Sequence, residues 1–178
     1  MVELNMFRVF LSFVIMSFCT KVNVNADQIL SEGMKAPMFE LVDASMNVFK
    51  LSEMIGKKGV VLYFYPKDKT PGCTIEAKEF SSLIQDFEAI EVVVVGVSKD
   101  TPDCHKDFIK KSGLKINLLS DFNLEVAKQY GSYKKGLLSN INRDKFFINK
   151  EGVVEKIWRN VFSLGHAKDV LKYIDNKK

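Results

Sequence analysis

The sequence is poor in the residues that build disulfide scaffolds and metal clusters. Its 178 residues hold three cysteines (Cys19, Cys73 and Cys104) and two histidines (His105 and His166). Three cysteines are too few to staple a small fold, and the odd number leaves one over. Ligands this scattered exclude a dense zinc motif. Prolines number only four. No repeat, low-complexity stretch or linker divides the chain, so it reads as one domain. Neither sign of charge dominates: 26 Lys plus Arg stand against 22 Asp plus Glu, a net +4 spread along the sequence. Nucleic-acid surfaces need such cations clustered, so no nucleic-acid partner is expected. What is present is an ordinary globular composition, 47% hydrophobic, with fourteen Phe and one Trp to give bulk. A chain of this size buries a core without covalent staples.

The first 26 residues differ from the rest. Between Arg8 and Lys21 lie twelve uncharged residues, VFLSFVIMSFCT. That length fits a signal-peptide core and is short of the about 20 residues of a membrane span. Val24 and Ala26 take the positions where a signal peptidase accepts small residues. A start at Met6 instead of Met1 would give the segment a cleaner basic beginning. The expectation is a signal peptide over 1–26, cut after Ala26, with residues 27–178 exported to a periplasm and Cys19 lost with the leader. The competing expectation is an uncleaved membrane anchor.

The remaining pattern alternates strands and helices. Phe39 to Val42 and Val48-Phe49 read as short strands around a turn, followed by a short helix over Leu51 to Ile55. Gly59 to Tyr65 is a continuous apolar run of strand length and is expected as a central strand, and Ile90 to Val97 (IEVVVVGV) reads as a second buried strand. Between them, Phe80, Leu83, Ile84 and Phe87 share one helix face at i, i+3, i+4, i+7 spacing. Thr101-Pro102 opens another helix that stops at Gly113. A short strand at Leu118-Leu119 and a short helix over Leu124 to Tyr130 follow. Phe146 to Ile148 and Val153 to Trp158 flank a turn and predict a hairpin, and His166 to Ile174 predicts a last amphipathic helix. This order implies a layered α/β domain with a mixed sheet.

Chemistry concentrates where the first central strand ends, in Tyr65-Pro-Lys-Asp-Lys-Thr-Pro-Gly-Cys73. Cys73 opens a helix. Unpaired backbone N–H groups and the positive dipole end of a first helical turn favour a thiolate over a thiol. The thiolate is the nucleophilic form. Thr70 is close enough in sequence for its hydroxyl to approach the sulfur, and Pro66 closes the strand and can shield the pocket. On these residues alone, an inert buried cysteine at a helix start remains open.

Pro66, Thr70 and Cys73 fill a Pro-x-x-x-Thr-x-x-Cys pattern that resembles the peroxiredoxin active site, and YFYPKDKTPGCT resembles the bacterioferritin comigratory protein (PrxQ) subfamily. The resemblance continues through Gly33, Lys35, Ala36, Pro37, Phe39 and Leu41. It then runs through VVVVGVSKD, Leu118 to Asp121, Arg143 with Phe146, Phe147, Ile148 and Gly152, Trp158-Arg159, and Gly165 to Ala167, covering residues 33 to 174. It implies a thioredoxin-like fold with an added N-terminal strand pair. The implied activity is a thiol-dependent peroxidase that reduces hydrogen peroxide and organic hydroperoxides through a sulfenic acid on Cys73, with no metal or other cofactor because the sulfur does the redox chemistry. It further implies that Thr70 bonds the peroxide oxygens, that Pro66 shapes the pocket, and that Arg143 holds the thiolate and stabilises the leaving oxygen. A thioredoxin-like protein or a small-molecule thiol would restore the enzyme, and the subfamily is mostly monomeric.

Three departures stand out. Resolving cysteines in this subfamily occupy the places of Lys78 or Ile109 here, and neither is sulfur. Cys104 lies five residues before Ile109 and shares a face with Phe108, which favours a structural core cysteine; a displaced resolving role and an intermolecular partner stay open. The stretch Gly131 to Asn142 is short. Asp144-Lys145 follow Arg143, and adjacent strand residues are expected to point to opposite faces, so Asp144 should not meet Arg143. His105 and His166 are expected at the surface or as caps, and Arg159 as a paired strand residue. Two other functions compete: a thiol–disulfide oxidoreductase, which lacks its Cys-x-x-Cys here because Thr74, Ile75 and Glu76 follow Cys73, and a non-catalytic binding or holdase module.

Overall fold

The computed structural model describes residues 29–135 and 140–177. The expected leader, its cut after Ala26, and Cys19 lie outside the described residues. In chain order the strands are β1 (Glu40–Asp43), β2 (Val48–Lys50), β3 (Gly59–Phe64), β4 (Val92–Ser98), β5 (Asn117–Ser120), β6 (Tyr133–Lys134), β7 (Asn140–Ile141), β8 (Lys145–Ile148) and β9 (Val154–Trp158). The helices are α1 (Pro71–Ser82), α2 (Ile84–Ala89), α3 (Pro102–Ser112), α4 (Glu125–Gln129) and α5 (His166–Asp175), with a single 3-10 turn at Leu51–Glu53.

Seven strands form one sheet in the order β2-β1-β5-β4-β3-β8-β9. The central strands β3, β4 and β5 are parallel, and the others join antiparallel. All six residues of β3 are buried, as a central strand with both faces covered requires. Alternate β3 residues therefore serve two cores. Val60, Leu62 and Phe64 pack with Phe146, Ile148, Val126 and Tyr130 on one side. Val61, Tyr63 and Tyr65 pack with Cys73, Phe80, Phe87, Phe108, Val170 and Ile174 on the other. That second face carries α1, α2, α3 and α5, and burying a residue such as Phe80 there contributes roughly 1.5–3 kcal/mol.

Glycine is needed at one point in the sheet. Tyr63 on β3 lies opposite Gly96 on β4. A β-carbon at Gly96 would stand 2.6 Å from the Tyr63 ring and 2.8 Å from Leu118 Cδ2. The missing side chain lets the tyrosine lie across its neighbour.

The helix expected through Phe80, Leu83, Ile84 and Phe87 is two helices. Leu83 breaks it at φ −101°, ψ 7°. Two serines precede the break and engage the backbone: Ser82 Oγ donates to Glu79 O (2.8 Å), and Ser81 Oγ accepts from Lys115 N (2.9 Å). The Ser82 bond is local and competes with the helical ladder, whereas the Ser81 bond ties the end of α1 to the segment before β5. The short stretch after Gly131 holds one strand pair that periodicity did not reveal, with Tyr133 opposite Ile141 and Lys134 opposite Asn140.

The segment ahead of β1 runs beside β9. Gly33 N donates to Val154 O and Val154 N to Met34 O, both at 2.8 Å. The Glu32 carboxylate accepts from Ile157 N at 3.0 Å and pairs with Lys156. The Ile157 N–H first, and then Lys156, hold that carboxyl below its ordinary range.

Candidate active site

The site forms where β3 and β8 bring their ends together. β3 hands over to Tyr65 and half-buried Pro66, and a loop leads to Thr70 at the cap position of α1. Lys69 takes a left-handed φ of 63°, which closes that loop tightly. Pro71 suits the first helical position because its missing N–H would have no partner there. Cys73 is then the third helical residue, 2% exposed, inside the first turn.

Arg143 enters from the other strand. It lies two residues before β8, and its Nη2 donates to Cys73 Sγ at 3.3 Å. Gly72 leaves room for this approach: a β-carbon there would stand 3.4 Å from Arg143 Nη2 and 3.3 Å from Ser163 Oγ. The second guanidinium nitrogen, Nη1, pairs with Glu76 Oε2. Burial opposes the Arg143 charge, but Glu76 and Cys73 together outweigh it and hold the guanidinium above its usual range. Glu76 lies one turn after Cys73 and is fully buried. Its other oxygen, Oε1, forms an ion pair at 2.6 Å with the Nζ of Lys145, which is also fully buried. Tyr63 lies beneath this group. Burial first, then Glu76 and Cys73, keep its phenol protonated far above the usual range.

Thr70 is differently employed. Its hydroxyl donates to Lys67 O at 3.1 Å, and its carbonyl accepts from Thr74 N at 2.9 Å and Thr74 Oγ1 at 2.8 Å. The Thr70 proton is thus committed to the loop, and its oxygen faces any further partner as an acceptor.

A second network anchors the same loop from behind. Asp68 is 5% exposed; its Oδ1 accepts from Tyr65 OH at 2.7 Å and its Oδ2 from His105 Nδ1 at 2.8 Å. Its backbone N–H donates to Asp100 Oδ2, also at 2.8 Å, and Ser98 Oγ donates to that same oxygen. His105 is therefore not the surface or capping residue its sequence suggests. It is wholly buried, because Asp68 supplies the acceptor that a buried imidazole needs. His166 is half-buried at the start of α5, edge-on to the Trp158 ring at 5.9 Å. Burial first, then Lys145, lower its pKa to about 4.

Cys104 also departs from its expected place. The residues of α3 that enter the core are His105 and Phe108, and Cys104 is half-buried beside them. Like Cys73 it is the third residue of a helix with a Thr cap and a leading proline, and its N–H donates to the Thr101 hydroxyl at 3.3 Å. Both cysteines are free. Asp144 keeps away from Arg143, as expected. It accepts instead from Arg159 Nη1 at 2.9 Å and Ser132 Oγ at 2.9 Å, on the opposite side of the sheet. Arg159 is spent on that pairing and on the Tyr130 carbonyl.

The structure thus joins Cys73 and Arg143, with Pro66 and Thr70 on the loop that leads into α1, and adds Glu76 and Lys145 beside Arg143 and Asp68 and His105 behind the loop. One signal for Glu76 was available: a carboxylate one helical turn from a thiol needs a cation to be buried there.

Comparison with known proteins agrees with this arrangement. The AhpC/TSA family model matches residues 33–157. A putative peroxiredoxin bcp of Helicobacter pylori strain J99 is 45% identical over 148 residues, spanning 80% of this chain and 97% of its own. A mutant of Xylella fastidiosa PrxQ superposes with a TM-score of 0.80 at 30% identity, covering 84% of this chain and 98% of that one. The Xanthomonas campestris bacterioferritin comigratory protein superposes at 0.74 with 30% identity, covering 78% and 91%. The mixed sheet with its β1–β2 pair is accordingly the thioredoxin-like fold of these structures. The chain belongs to the AhpC/TSA family and, within it, to the Bcp/PrxQ peroxiredoxins, which are thiol-dependent hydroperoxide reductases.

Proposed function

We propose that Cys73 is the thiolate that attacks the hydroperoxide and that Arg143, Thr70 and Pro66 complete its pocket. The observation that carries this reading is the 3.3 Å approach of Arg143 Nη2 to a sulfur buried in the first turn of α1. The Cys73 sulfur attacks the terminal peroxide oxygen. An S–O bond forms as the O–O bond breaks, and the sulfur gives up two electrons. Cys73 becomes a sulfenic acid, and the leaving alkoxide or hydroxide takes up a proton to give an alcohol or water. Arg143 stabilises the charge that develops on the leaving oxygen. Thr70 accepts from the peroxide O–H, because its own proton is held by Lys67 O. Half-buried Pro66 limits water at the sulfur.

The substrates are hydrogen peroxide and organic hydroperoxides. The related Xanthomonas protein is described by its alkyl peroxide reduction activity, which supports the organic class. A thioredoxin-like protein or a small-molecule thiol then attacks the sulfenic acid, releasing water and forming a mixed disulfide that a second thiol resolves. Cys104 offers an internal second thiol, favoured by its partial exposure and by its helix lying on the same sheet face as α1. Mass measurement after one equivalent of peroxide separates the two routes: a Cys73–Cys104 disulfide for the internal one, an oxidised Cys73 with free Cys104 for the external one.

Cys73→Ser is expected to abolish peroxide consumption with a supplied thiol. Unchanged turnover would overturn the assignment of Cys73 as the reacting thiol. The mature protein is read as an exported, periplasmic monomer over residues 27–178, supported by the apolar stretch before Lys21 and the small residues up to Ala26. An N-terminus at Asp27 on protein recovered from its host, with a monomer mass in solution, tests this; an intact leader in the membrane fraction refutes the cleavage.

A further inference from the structure

Lys145 is a lysine with no exposed surface, and among the described residues it is one of two cations on the Glu76 carboxylate. Among the described residues its Nζ has no hydrogen-bond acceptor besides Glu76, and it lies 5.9 Å above the Phe80 ring. A buried ammonium with so few partners is costly unless a charge requires it.

That requirement follows from counting charges around the sulfur. Glu76 contributes one negative charge, Arg143 and Lys145 one positive charge each. The buried group therefore carries +1 while Cys73 is a thiol and is neutral once Cys73 is a thiolate. Moving the Lys145 proton onto Glu76 leaves both sums unchanged. Without Lys145, Glu76 would cancel Arg143, and ionising Cys73 would leave a net negative charge in the interior.

We propose that Lys145 is a positioning residue for the peroxidase reaction: by neutralising Glu76 it leaves the Arg143 charge available to the Cys73 thiolate. The proposal rests on Cys73 being the reacting thiol. The other groups facing this cluster do not replace Lys145. The Glu79 carboxylate accepts from Gly165 N at 2.7 and 2.9 Å. The Asp68 carboxylate is taken by Tyr65 and His105. Tyr63 stays protonated, and His166 stays neutral near pH 7. Burial lowers the Lys145 ammonium from the usual lysine range, opposed by Glu76.

The test is the pH dependence of iodoacetamide alkylation at Cys73, followed by mass spectrometry on the full chain with Cys104 scored separately. Lys145→Met is expected to move the alkylation midpoint up by about one unit, or about tenfold less thiolate below the midpoint. Its peroxide reaction should fall by a similar factor at low pH and recover at high pH. Glu76→Gln/Lys145→Met, which removes both charges, is expected to return the midpoint to the parent value. A folded Lys145→Met with an unmoved midpoint overturns the proposal. If that variant does not fold, Glu76→Gln and the double variant are compared. A lower midpoint in Glu76→Gln that the second change reverses supports the proposal, and equal midpoints overturn it. Alkylation reads the thiolate whether or not it reduces peroxide. A failure of the Cys73 assignment would show separately, as turnover surviving Cys73→Ser.

Discussion

Replacing Asp68 with alanine should damage this protein more than its loop position suggests. The side chain holds two buried groups, Tyr65 OH at 2.7 Å and His105 Nδ1 at 2.8 Å. Their remaining mutual contact is 3.5 Å, and His105 Nε2 already lacks a partner among the described residues. Leaving a buried polar group unsatisfied costs about 1–3 kcal/mol, so two such groups give a loss of about 4 kcal/mol. That is a large part of the roughly 5–15 kcal/mol that holds a domain folded. Asp68→Asn keeps one acceptor but turns an amide donor toward another donor, and should lose about half as much. Urea unfolding at pH 7 measures both. Because the same loop carries Thr70 and leads to Cys73, kcat/KM for peroxide should also fall, by about tenfold, as the pocket loosens. In a double-mutant cycle with His105→Phe, a coupling of about 1–3 kcal/mol is expected. A loss below about 1 kcal/mol for Asp68→Ala, or additive effects in the cycle, would refute the reasoning.

Gly96→Ala places a methyl group 2.6 Å from the Tyr63 ring, which is stacked on Phe80 at 4.7 Å. Overpacking of this kind should cost about 1–3 kcal/mol in a denaturant melt, and Tyr63→Phe, which removes only the hydroxyl, should recover part of it. His166 predicts a pH-dependent stability. Its folded pKa, about 4, lies below the unfolded value near 6.5, so the unfolded chain binds its proton first as pH falls. The protein should therefore lose stability between about pH 6.5 and 4, and His166→Phe should remove that part of the loss. Equal acid sensitivity in the two proteins would argue against it.

Much of the fold was legible because its signals are local. The run Gly59–Phe64 is apolar on both faces and could only be a central strand, and Gly113 at φ 64° ends α3 where the sequence places the stop. The break at Leu83 was hidden because α2 resumes on the same apolar face; Ser81 and Ser82 mark it, and periodicity does not see them. Cys73 and Arg143 were found through pattern, and the structure brings them into contact. The pairing of Glu76 with Lys145 is not legible because it joins a helix to a distant strand. His105 was misread for the same reason, since its acceptor Asp68 sits in a loop of another βα unit. Cys104 was placed in the core from its spacing to Phe108, although the helix turns His105 inward instead.

The contact of residues 32–34 with β9 has a consequence for how the chain can be shortened. β9 is the last strand of the sheet on its side, and an uncovered edge is a template for pairing with another molecule. Gly33 and Met34 occupy the outward groups of Val154, and Glu32 occupies that of Ile157. Protein that begins at Asp27 keeps this cover. Protein trimmed to start at Pro37 would retain every residue of the proposed pocket, yet present bare backbone along β9 and be prone to self-association.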